Sequence, residues 1–232
     1  MTRGVFIVID GLDGSGKATQ TRLLSKRLAE KGVPSESIDF PRYNDNLFGA
    51  LIGECLAGKH GDFLHLDPKI ASTLYALDRL ESAPQIETWR SAGRLVLADR
   101  FVSSNQIHQG GKIADEGERA TFLAWLEHME HTVLGVPRPD AVIYLRVSPE
   151  TTLALLAEKR QAKNRALGKG EKDQVESDQA YVDRSYACAG WLAATQPGWH
   201  IIDCMEQGRM RAPESIHEDV FSLVAKLAGL EK

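Results

Sequence analysis

The sequence is poor in cysteine, and its apolar runs are short. Its three cysteines, Cys55, Cys188 and Cys204, are scattered and show no metal-ligand spacing, so neither a disulfide framework nor a zinc site is indicated. The early apolar run at residues 4–9 is too short for a signal peptide or a membrane span. We therefore expect a cytoplasmic protein with three buried thiols and no contact with a membrane.

An excess of positive charge is also missing. The 232 residues include 28 Lys and Arg against 32 Asp and Glu, which gives a formal net charge of −4. Domains that bind nucleic acid are usually basic, so this balance argues against such a partner. A nucleotide site remains possible, because a few local cations suffice there. The length and the 43% hydrophobic content fit a single domain with a substantial core, over residues 1–232.

Short apolar runs alternate with longer amphipathic stretches along the chain. The apolar runs predict strands at residues 4–10, 94–98, 141–147 and 200–203, with a weaker one at 37–40. The amphipathic stretches predict helices at residues 17–31, 47–58, 68–92, 117–134, 149–163, 176–195 and 213–228. This alternation predicts an α/β fold in which helices flank both faces of a parallel sheet. The pattern does not give the strand order.

A glycine-rich segment stands between the first predicted strand and the first predicted helix. It follows the pattern GxxxxGK and consists of Gly11, Leu12, Asp13, Gly14, Ser15, Gly16 and Lys17. Glycines let the backbone wrap around an anion with its N–H groups turned inward, and the helix N-terminus adds partial positive charge. The context therefore indicates an ATP-binding phosphate loop in which Lys17 contacts the β- and γ-phosphates.

The residue after the loop lysine is Ala18, at a position where such loops normally carry a Mg²⁺-binding hydroxyl. Thr19 follows, and a helical step of about 100° turns its side chain away from that place. We expect both residues to border the ATP site without binding the metal directly. Phosphate oxygens and waters can hold Mg²⁺, and the nearest carboxylates are those of Asp13 and Asp99.

Six short segments, in this order and spacing, resemble thymidylate kinases along nearly the whole chain. They are GLDGSGK at 11–17, FPRY at 40–43, LYALDR at 74–79, DRFVSSN at 99–105, PRPD at 137–140 and DQVE at 173–176. The resemblance implies a three-layer P-loop kinase fold with a short basic lid at about 159–175. It also implies a homodimer.

The resemblance assigns a substrate site to several of these residues. Phe40 would line the nucleoside pocket, and Arg42 would bind the phosphate of the acceptor, a task that suits a bidentate guanidinium. Tyr75 would stack on the thymine ring. Arg79, four residues later on the same helix face, would donate a hydrogen bond to a thymine carbonyl.

The segment after the third predicted strand supplies the remaining candidates. Carboxyl ends of parallel strands are where α/β sheets place ligands. By resemblance, Asp99 would act on the metal and Arg100 would bridge the donor and acceptor phosphates. Ser104 and Asn105 would contact the edge of the base, and His108 and Gln109 are further candidates for the substrate site. His108 departs from the family, which often has Tyr or Phe there, and this puts the rejection of a 2′-hydroxyl in doubt.

Two further departures from the family concern catalytic cations, one in the phosphate loop and one in the lid. Gly14 stands where some relatives carry an arginine in the loop, so the catalytic cation must come from elsewhere. Arg160 or Arg165 in the basic segment could supply it, because charge spreads over the γ-phosphoryl oxygens during transfer. Gln174 replaces an arginine that often follows the aspartate at the end of the lid, which removes one candidate cation.

The resemblance implies that Mg²⁺-dependent transfer of the γ-phosphoryl of ATP to dTMP is the reaction, with no nucleophilic side chain. Two alternatives stay open at this stage. A kinase for UMP or CMP would differ by contacts that the sequence does not reveal. A nucleotide-binding regulator without transfer is conceivable given Ala18, although it would not need Arg42, Arg79 and Arg100 together.

Overall fold

A computed structural model describes residues 3–167 and 179–230, without the side chains of residues 159, 160 and 162–167. Five strands form the main sheet: β1 Phe6–Gly11, β2 Ser35–Asp39, β3 Leu95–Asp99, β4 Ala141–Arg146 and β5 Trp199–Asp203. The helices are α1 Lys17–Glu30, α2 Leu47–Leu56, α3 Pro68–Ser91, α4 Val102–His108, α5 Glu116–Glu127, α6 Pro149–Leu167, α7 Gln179–Thr195 and α8 Pro213–Leu227.

All pairings in the main sheet are parallel, and the strand order is β2-β3-β1-β4-β5. The chain builds first to one side of β1, with β2 and β3, and later to the other side, with β4 and β5. The carboxyl end of β1 is therefore a topological switch point, where open α/β sheets bind ligands. The segment that follows β1 there is the phosphate loop.

Alternate residues of β1 pack into two separate cores, because successive strand side chains point to opposite faces. Ile7 and Ile9 pack with α1 and α8 on one face. Phe6 and Val8 pack with residues of α3, α5 and α7 on the other face. The predicted parallel sheet between two helical layers is thus confirmed, including the weaker strand now seen as β2.

Short polar residues fix where several helices begin. The Asn46 side chain accepts a hydrogen bond from the Gly49 N–H at 2.9 Å and caps α2. Asp67 caps α3, whose first residue is a proline, and Asp115 caps α5. Helix α1 has no such cap and starts at Gly16, whose φ of 92° favours glycine.

Four parts of the structure differ from the sequence-based prediction. Helix α4 was not predicted, since its seven residues include few strong helix formers. The predicted helix 117–134 ends as α5 and continues as a π-helical turn, His128–Val133. Helix α6 runs four residues beyond residue 163, through good helix formers. A small hairpin joins β6 Met205–Glu206 and β7 Arg209–Met210.

The lid prediction is only partly within the described residues. Residues 159–167 belong to α6, so this half of the basic segment has a helical backbone rather than a loop. Arg160 and Arg165 are in this helix, but their side chains are outside the description. Residues 168–175 lie outside the described residues altogether.

Candidate active site

The phosphate loop connects β1 to α1 through two positions that require glycine. A Cβ on Gly11 would lie 2.5 Å from the Ser15 Oγ and 2.8 Å from the Leu145 carbonyl oxygen, so only glycine fits there. Gly16, at the start of α1, has a positive φ that glycine adopts without strain. The Leu12 side chain is buried in the core. The loop therefore has the strand-to-helix geometry that its sequence predicts.

Lys17 is buried in the loop. Its Nζ donates hydrogen bonds to the carbonyl oxygens of Gly11 at 3.0 Å and Leu12 at 2.9 Å, and it lies 3.9 Å from Asp13. Burial and the Arg100 charge lower the pKa of Lys17 to about 8, although Asp13 and Asp99 partly offset this. An ammonium with this pKa is mostly charged at neutral pH.

Two cavities meet beside the loop. The loop cavity, about 460 Å³, is lined by Asp13, Gly14, Gly16, Lys17, Ala18, Thr19, Asp39, Phe40, Pro41, Tyr43, Asp99 and Arg100. The inner cavity, about 260 Å³, is lined by Asp13, Phe40, Pro41, Tyr43, Leu56, Tyr75, Arg79, Arg100, Phe101, Ser104, Asn105, His108, Gln109, Leu156 and Tyr181. Five residues border both cavities, and the two charged ones among them are Asp13 and Arg100.

Arg100 is held between the cavities by several partners. Its backbone has a φ of 67°, a left-handed conformation that is rare outside glycine and is often found at functional sites. Its Nη2 donates a short hydrogen bond to Asp13, and its Nη1 donates to the Ser104 Oγ at 3.3 Å. Burial acts to lower the pKa of Arg100, but Asp13, Asp10 and Asp99 outweigh it and raise that pKa.

The carboxylate of Asp13 is held ionised by the same neighbours. Burial acts to raise the pKa of Asp13, but the charges of Arg100 and Lys17 outweigh it and hold that pKa well below its usual range. Asp13 is therefore an ion-pair partner of Arg100 and an anchor for its guanidinium.

Asp10, which the sequence analysis did not select, is a buried anchor under the site. Its Oδ1 accepts a hydrogen bond from the Gly11 N–H at 2.8 Å, and its Oδ2 accepts one from the Ser103 hydroxyl at 2.5 Å. The Ser104 hydroxyl donates to the same Oδ2 at 2.8 Å. Arg100 Nη1 lies 3.8 Å away. The signal that could have identified Asp10 in the sequence is its position at the end of an apolar strand, immediately before the phosphate loop.

His108 connects Arg100 to helix α7. Arg100 Nη1 donates to the His108 Nε2 at 3.3 Å, so Nδ1 carries the ring hydrogen and donates to the Ser185 Oγ at 3.3 Å. The ring stacks on Tyr181 with a centroid distance of 5.6 Å. Burial and the charge of Arg100 lower the pKa of His108 to about 4. The imidazole is therefore neutral at physiological pH.

This low pKa predicts an acid-sensitive contribution to stability. The unfolded chain protonates His108 near pH 6.5 and the folded chain only near pH 4, so the free energy of unfolding should fall between these values by up to about 3 kcal/mol. We expect His108→Gln to have a flatter stability profile from pH 6.5 to 4 in urea unfolding. His217, whose pKa burial also lowers, contributes equally to both proteins. Identical profiles for variant and wild type would contradict the prediction.

The inner cavity is lined by the predicted base-contacting residues. Tyr75 packs near Phe63, with ring centroids 5.8 Å apart. Arg79 is 2% exposed and pairs with Glu130, a carboxylate that the sequence analysis did not select. Asn105 is buried beside them. The Gln109 Oε1 is buried and accepts no hydrogen bond among the described residues, which suits a ligand donor.

Arg42 is the one predicted acceptor-site residue that the structure places outside both cavities. Its Nη2 lies 3.1 Å from the Asp45 Oδ2, and its backbone N–H faces Asp78. The neighbouring Tyr43 borders both cavities instead. Tyr43 and Tyr181 are cavity residues that the sequence analysis did not select, although Tyr43 belongs to the FPRY segment.

The carboxylates beside the loop fit a hard cation that is bound mainly by phosphate. Asp13 and Asp99 both line the loop cavity, as does Asp39, the register partner of Asp99. Burial raises the pKa of Asp99, partly offset by Lys17 and Arg100. Residues 3–167 and 179–230 contain no group of three His, Cys, Asp or Glu side chains that could hold a metal alone. Mg²⁺ is compatible with this set, because it keeps waters and phosphate ligands.

No helix within the described part of the chain is both long and apolar enough to cross a membrane. All three cysteines are buried and unpaired, as predicted.

Known proteins resemble this chain over most of its length. The family model for thymidylate kinase matches residues 9–210. The thymidylate kinase of Mycobacterium tuberculosis is 30% identical over 211 residues, covering 90% of this chain and 96% of the relative. Human thymidylate kinase is 27% identical over 220 residues, covering 94% and 88%.

A solved structure of the thymidylate kinase from Candida albicans has the same fold. It superposes with a TM-score of 0.70 at 22% identity and covers 97% of this chain and 92% of that structure. The sequence matches go further than the fold, because they extend over the phosphate loop and both cavities. They confirm the resemblance drawn from the motifs, and the chain belongs to the thymidylate kinase family, ATP-dependent kinases that phosphorylate dTMP.

Proposed function

We propose that the chain transfers the γ-phosphoryl of ATP to dTMP with the loop cavity as donor site and the inner cavity as acceptor site. The observation that carries this proposal is the boundary between them. Asp13 and Arg100 border both cavities, so phosphates bound on either side would meet at one guanidinium. Positioning of this kind is the main requirement of phosphoryl transfer.

On the donor side, the loop N–H groups and Lys17 would hold the ATP phosphates. During transfer the acceptor phosphate oxygen forms a bond to the γ-phosphorus as the bond to the β-bridging oxygen breaks, giving dTDP and ADP. The acceptor phosphate is already anionic, so no side chain has to remove a proton. Arg100, anchored by Asp13, would stabilise charge on the transferring oxygens.

On the acceptor side, Tyr75 would stack on the base, and Arg79 and Asn105 would contact its polar edge. Phe40, Ser104, His108 and Gln109 would complete the nucleoside pocket. Arg42 would bind the acceptor phosphate only after its ion pair with Asp45 breaks. For the lid we retain Arg160 and Arg165 as the proposed cations; helix α6, which carries both, lines the inner cavity with Leu156.

We further propose that Mg²⁺ accompanies ATP, with Asp99 and Asp13 as the nearest carboxylates. The ion would supply charge neutralisation on the β- and γ-phosphates. Asp99 fits an outer or direct ligand because it lines the loop cavity at the end of β3. Asp13 already pairs with Arg100, which makes Asp99 the better ligand of the two.

The missing hydroxyl at residue 18 predicts weaker Mg²⁺ binding and therefore a higher Mg²⁺ concentration for half-maximal rate. Ala18 is exposed and lines the loop cavity, so serine or threonine fits there without disturbing the core. We expect Ala18→Ser and Ala18→Thr to lower the Mg²⁺ concentration for half-maximal rate by roughly fivefold, the equivalent of about 1 kcal/mol.

The control for this prediction is Thr19→Ala. Thr19 lines the same cavity, but its helical position does not replace the missing ligand, so its removal should leave the Mg²⁺ requirement unchanged. If folded Ser and Thr variants need as much Mg²⁺ as wild type, or more, the metal does not bind beside residue 18, and Asp99 becomes the first position to test.

We propose that the chain acts as one nucleoside monophosphate kinase domain, in the cytoplasm and as a homodimer. The extent of the family match over residues 9–210 supports the single domain. Three buried unpaired cysteines fit a reducing compartment. Exposed apolar side chains at Leu47, Ile70 and Val133 are of the kind that a subunit interface covers.

A panel of nucleoside monophosphates tests the proposed function. ADP release would be measured with ATP and dTMP, dUMP, UMP, dCMP, CMP or no acceptor. We expect dTMP to give the highest kcat/KM. Highest activity with CMP or UMP would favour the alternative kinase, and ATP binding without ADP release on any acceptor would favour a regulator.

A further inference from the structure

Glu130 is a fully buried carboxylate in the π-helical turn His128–Val133. Its Oε2 accepts a hydrogen bond from the Arg79 Nε at 2.7 Å, and its Oε1 accepts one from the Arg79 Nη2 at 2.5 Å. Oε1 also accepts one from the Asn105 Nδ2 at 3.2 Å. Glu130 lines neither cavity, whereas Arg79 and Asn105 both line the inner one. One carboxylate thus holds two cavity residues from different helices.

These contacts fix which way the Asn105 amide is turned. Its Nδ2 donates to the Glu130 carboxylate and to the Ser72 carbonyl oxygen, the latter at 3.2 Å. Both partners are acceptors only, so the reversed amide would place Oδ1 against two oxygens. The Oδ1, an acceptor, therefore remains for a ligand in the inner cavity.

Arg79 contributes the complementary donors. Its Nε and one Nη2 hydrogen go to Glu130, and one Nη1 hydrogen goes to the Phe101 carbonyl oxygen at 3.3 Å. A guanidinium has five N–H groups, so one hydrogen on each Nη remains without an acceptor among the described residues. Arg79 thus keeps donors and Asn105 keeps an acceptor, and both residues line the inner cavity.

We propose that Glu130 is a positioning residue that sets this donor–acceptor order and so decides which bases the site accepts. A base with a carbonyl next to a ring N–H, such as thymine or uracil, matches the order. Cytosine presents an amino group next to an unprotonated ring nitrogen. Its amino donor would face the Arg79 donor, and its ring-nitrogen acceptor would face the Asn105 Oδ1. This inference rests on the proposed function and extends it to a residue that does not contact the substrate.

Glu130→Gln tests the role with little change in volume. A glutamine NH₂ in the place of Oε2 faces the Arg79 Nε, and one in the place of Oε1 faces the Arg79 Nη2 and the Asn105 Nδ2. In the second orientation Asn105 can relieve its own clash by reversing its amide, which reverses the order that the base meets. We expect the ratio of kcat/KM for dTMP to that for dCMP to fall about tenfold or more. The loss should come mainly from the KM for dTMP, with the KM for ATP within twofold of wild type. An unchanged ratio in the folded variant would overturn the proposal.

Asp140→Asn is the matched control. Asp140 pairs with Arg90 at 2.8 Å, and Arg90 lies on α3 as Arg79 does, but Asp140 borders neither cavity. The control removes a carboxylate from an arginine of the same helix, so it should lower stability without changing the dTMP to dCMP ratio. If it changes the ratio as much as Glu130→Gln does, general loosening explains both and the proposal fails.

A measurement on the wild-type protein keeps the test valid if Glu130→Gln does not fold. Both Asn105 side-chain amide hydrogens should exchange slowly with water in NMR spectra without ligand, because both are bonded to protein oxygens. Fast exchange would overturn the proposal. A wild-type protein that phosphorylates no monophosphate would refute the proposed function instead, whereas an active protein with an unchanged base preference in Glu130→Gln refutes only this inference.

Discussion

Replacing Lys17 with alanine should lower kcat for dTMP phosphorylation by about 1000-fold, the scale lost when a main charge-stabilising donor is removed. Its ammonium is buried in the loop and bonded to the carbonyl oxygens of Gly11 and Leu12, which fixes its charge in the proposed donor site. The steady-state rate would be measured at saturating ATP and dTMP. The fold should persist, with a loss of only about 1–2 kcal/mol from the two missing hydrogen bonds.

Lys26→Ala is the control for Lys17→Ala. Lys26 lies on the same helix with a side chain that is 70% exposed and pairs with Glu30. It should keep wild-type turnover. A Lys17→Ala protein with a tenth or more of wild-type kcat would show that the loop does not bind the transferred phosphate.

Arg100→Ala should lower kcat by about 1000-fold as well, the lower end of what an arginine on the transferring group contributes. The guanidinium borders both cavities and is held there by Asp13, Asp10 and Ser104. The variant also leaves the buried Asp10 without its cation, so thermal unfolding must be measured together with the rate. The KM values should change less than kcat, because the contact is strongest during transfer.

Two companion variants separate charge from geometry. Arg100→Lys keeps the charge and loses the planar fork, so its rate should lie between those of wild type and Arg100→Ala. Arg94→Ala removes an arginine whose side chain is 46% exposed and paired with Glu36, and it should be fully active. A folded Arg100→Ala protein within tenfold of wild-type kcat would remove Arg100 from the mechanism.

The sheet and most helices could be predicted from the sequence because their signals are local. Apolar runs indicate β1, β3 and β4, and the GxxxxGK pattern that ends at Lys17 indicates the phosphate loop. The strand order could not be predicted, since it depends on which strands pair across the chain. Helix α4 and the π-helical turn were missed because each is stabilised by tertiary contacts, such as those of Asp10 with Ser103 and of Glu130 with Arg79.

The candidate site shows the same division. Cavity-lining residues such as Tyr75, Arg79 and Asn105 could be predicted, because they lie in short motifs whose order and spacing identify the family. Their anchors do not: Asp10 and Glu130 are buried carboxylates whose partners lie 25 to 94 residues away in sequence, apart from Gly11. Arg42 shows the limit of motif transfer. Its motif predicts a phosphate contact, but its side chain pairs with Asp45 outside both cavities.

Catalysis at these two sites requires that one phosphoryl group crosses from the loop cavity to the inner cavity. The most direct measurement uses ATP labelled at the γ-phosphorus, incubated with the protein, Mg²⁺ and dTMP, with the products separated by chromatography. We predict that nearly all released label appears in dTDP and that very little appears as free phosphate. Label that stays in ATP, or that accumulates as free phosphate whether or not dTMP is present, would contradict the assignment of two adjoining substrate sites joined at Arg100.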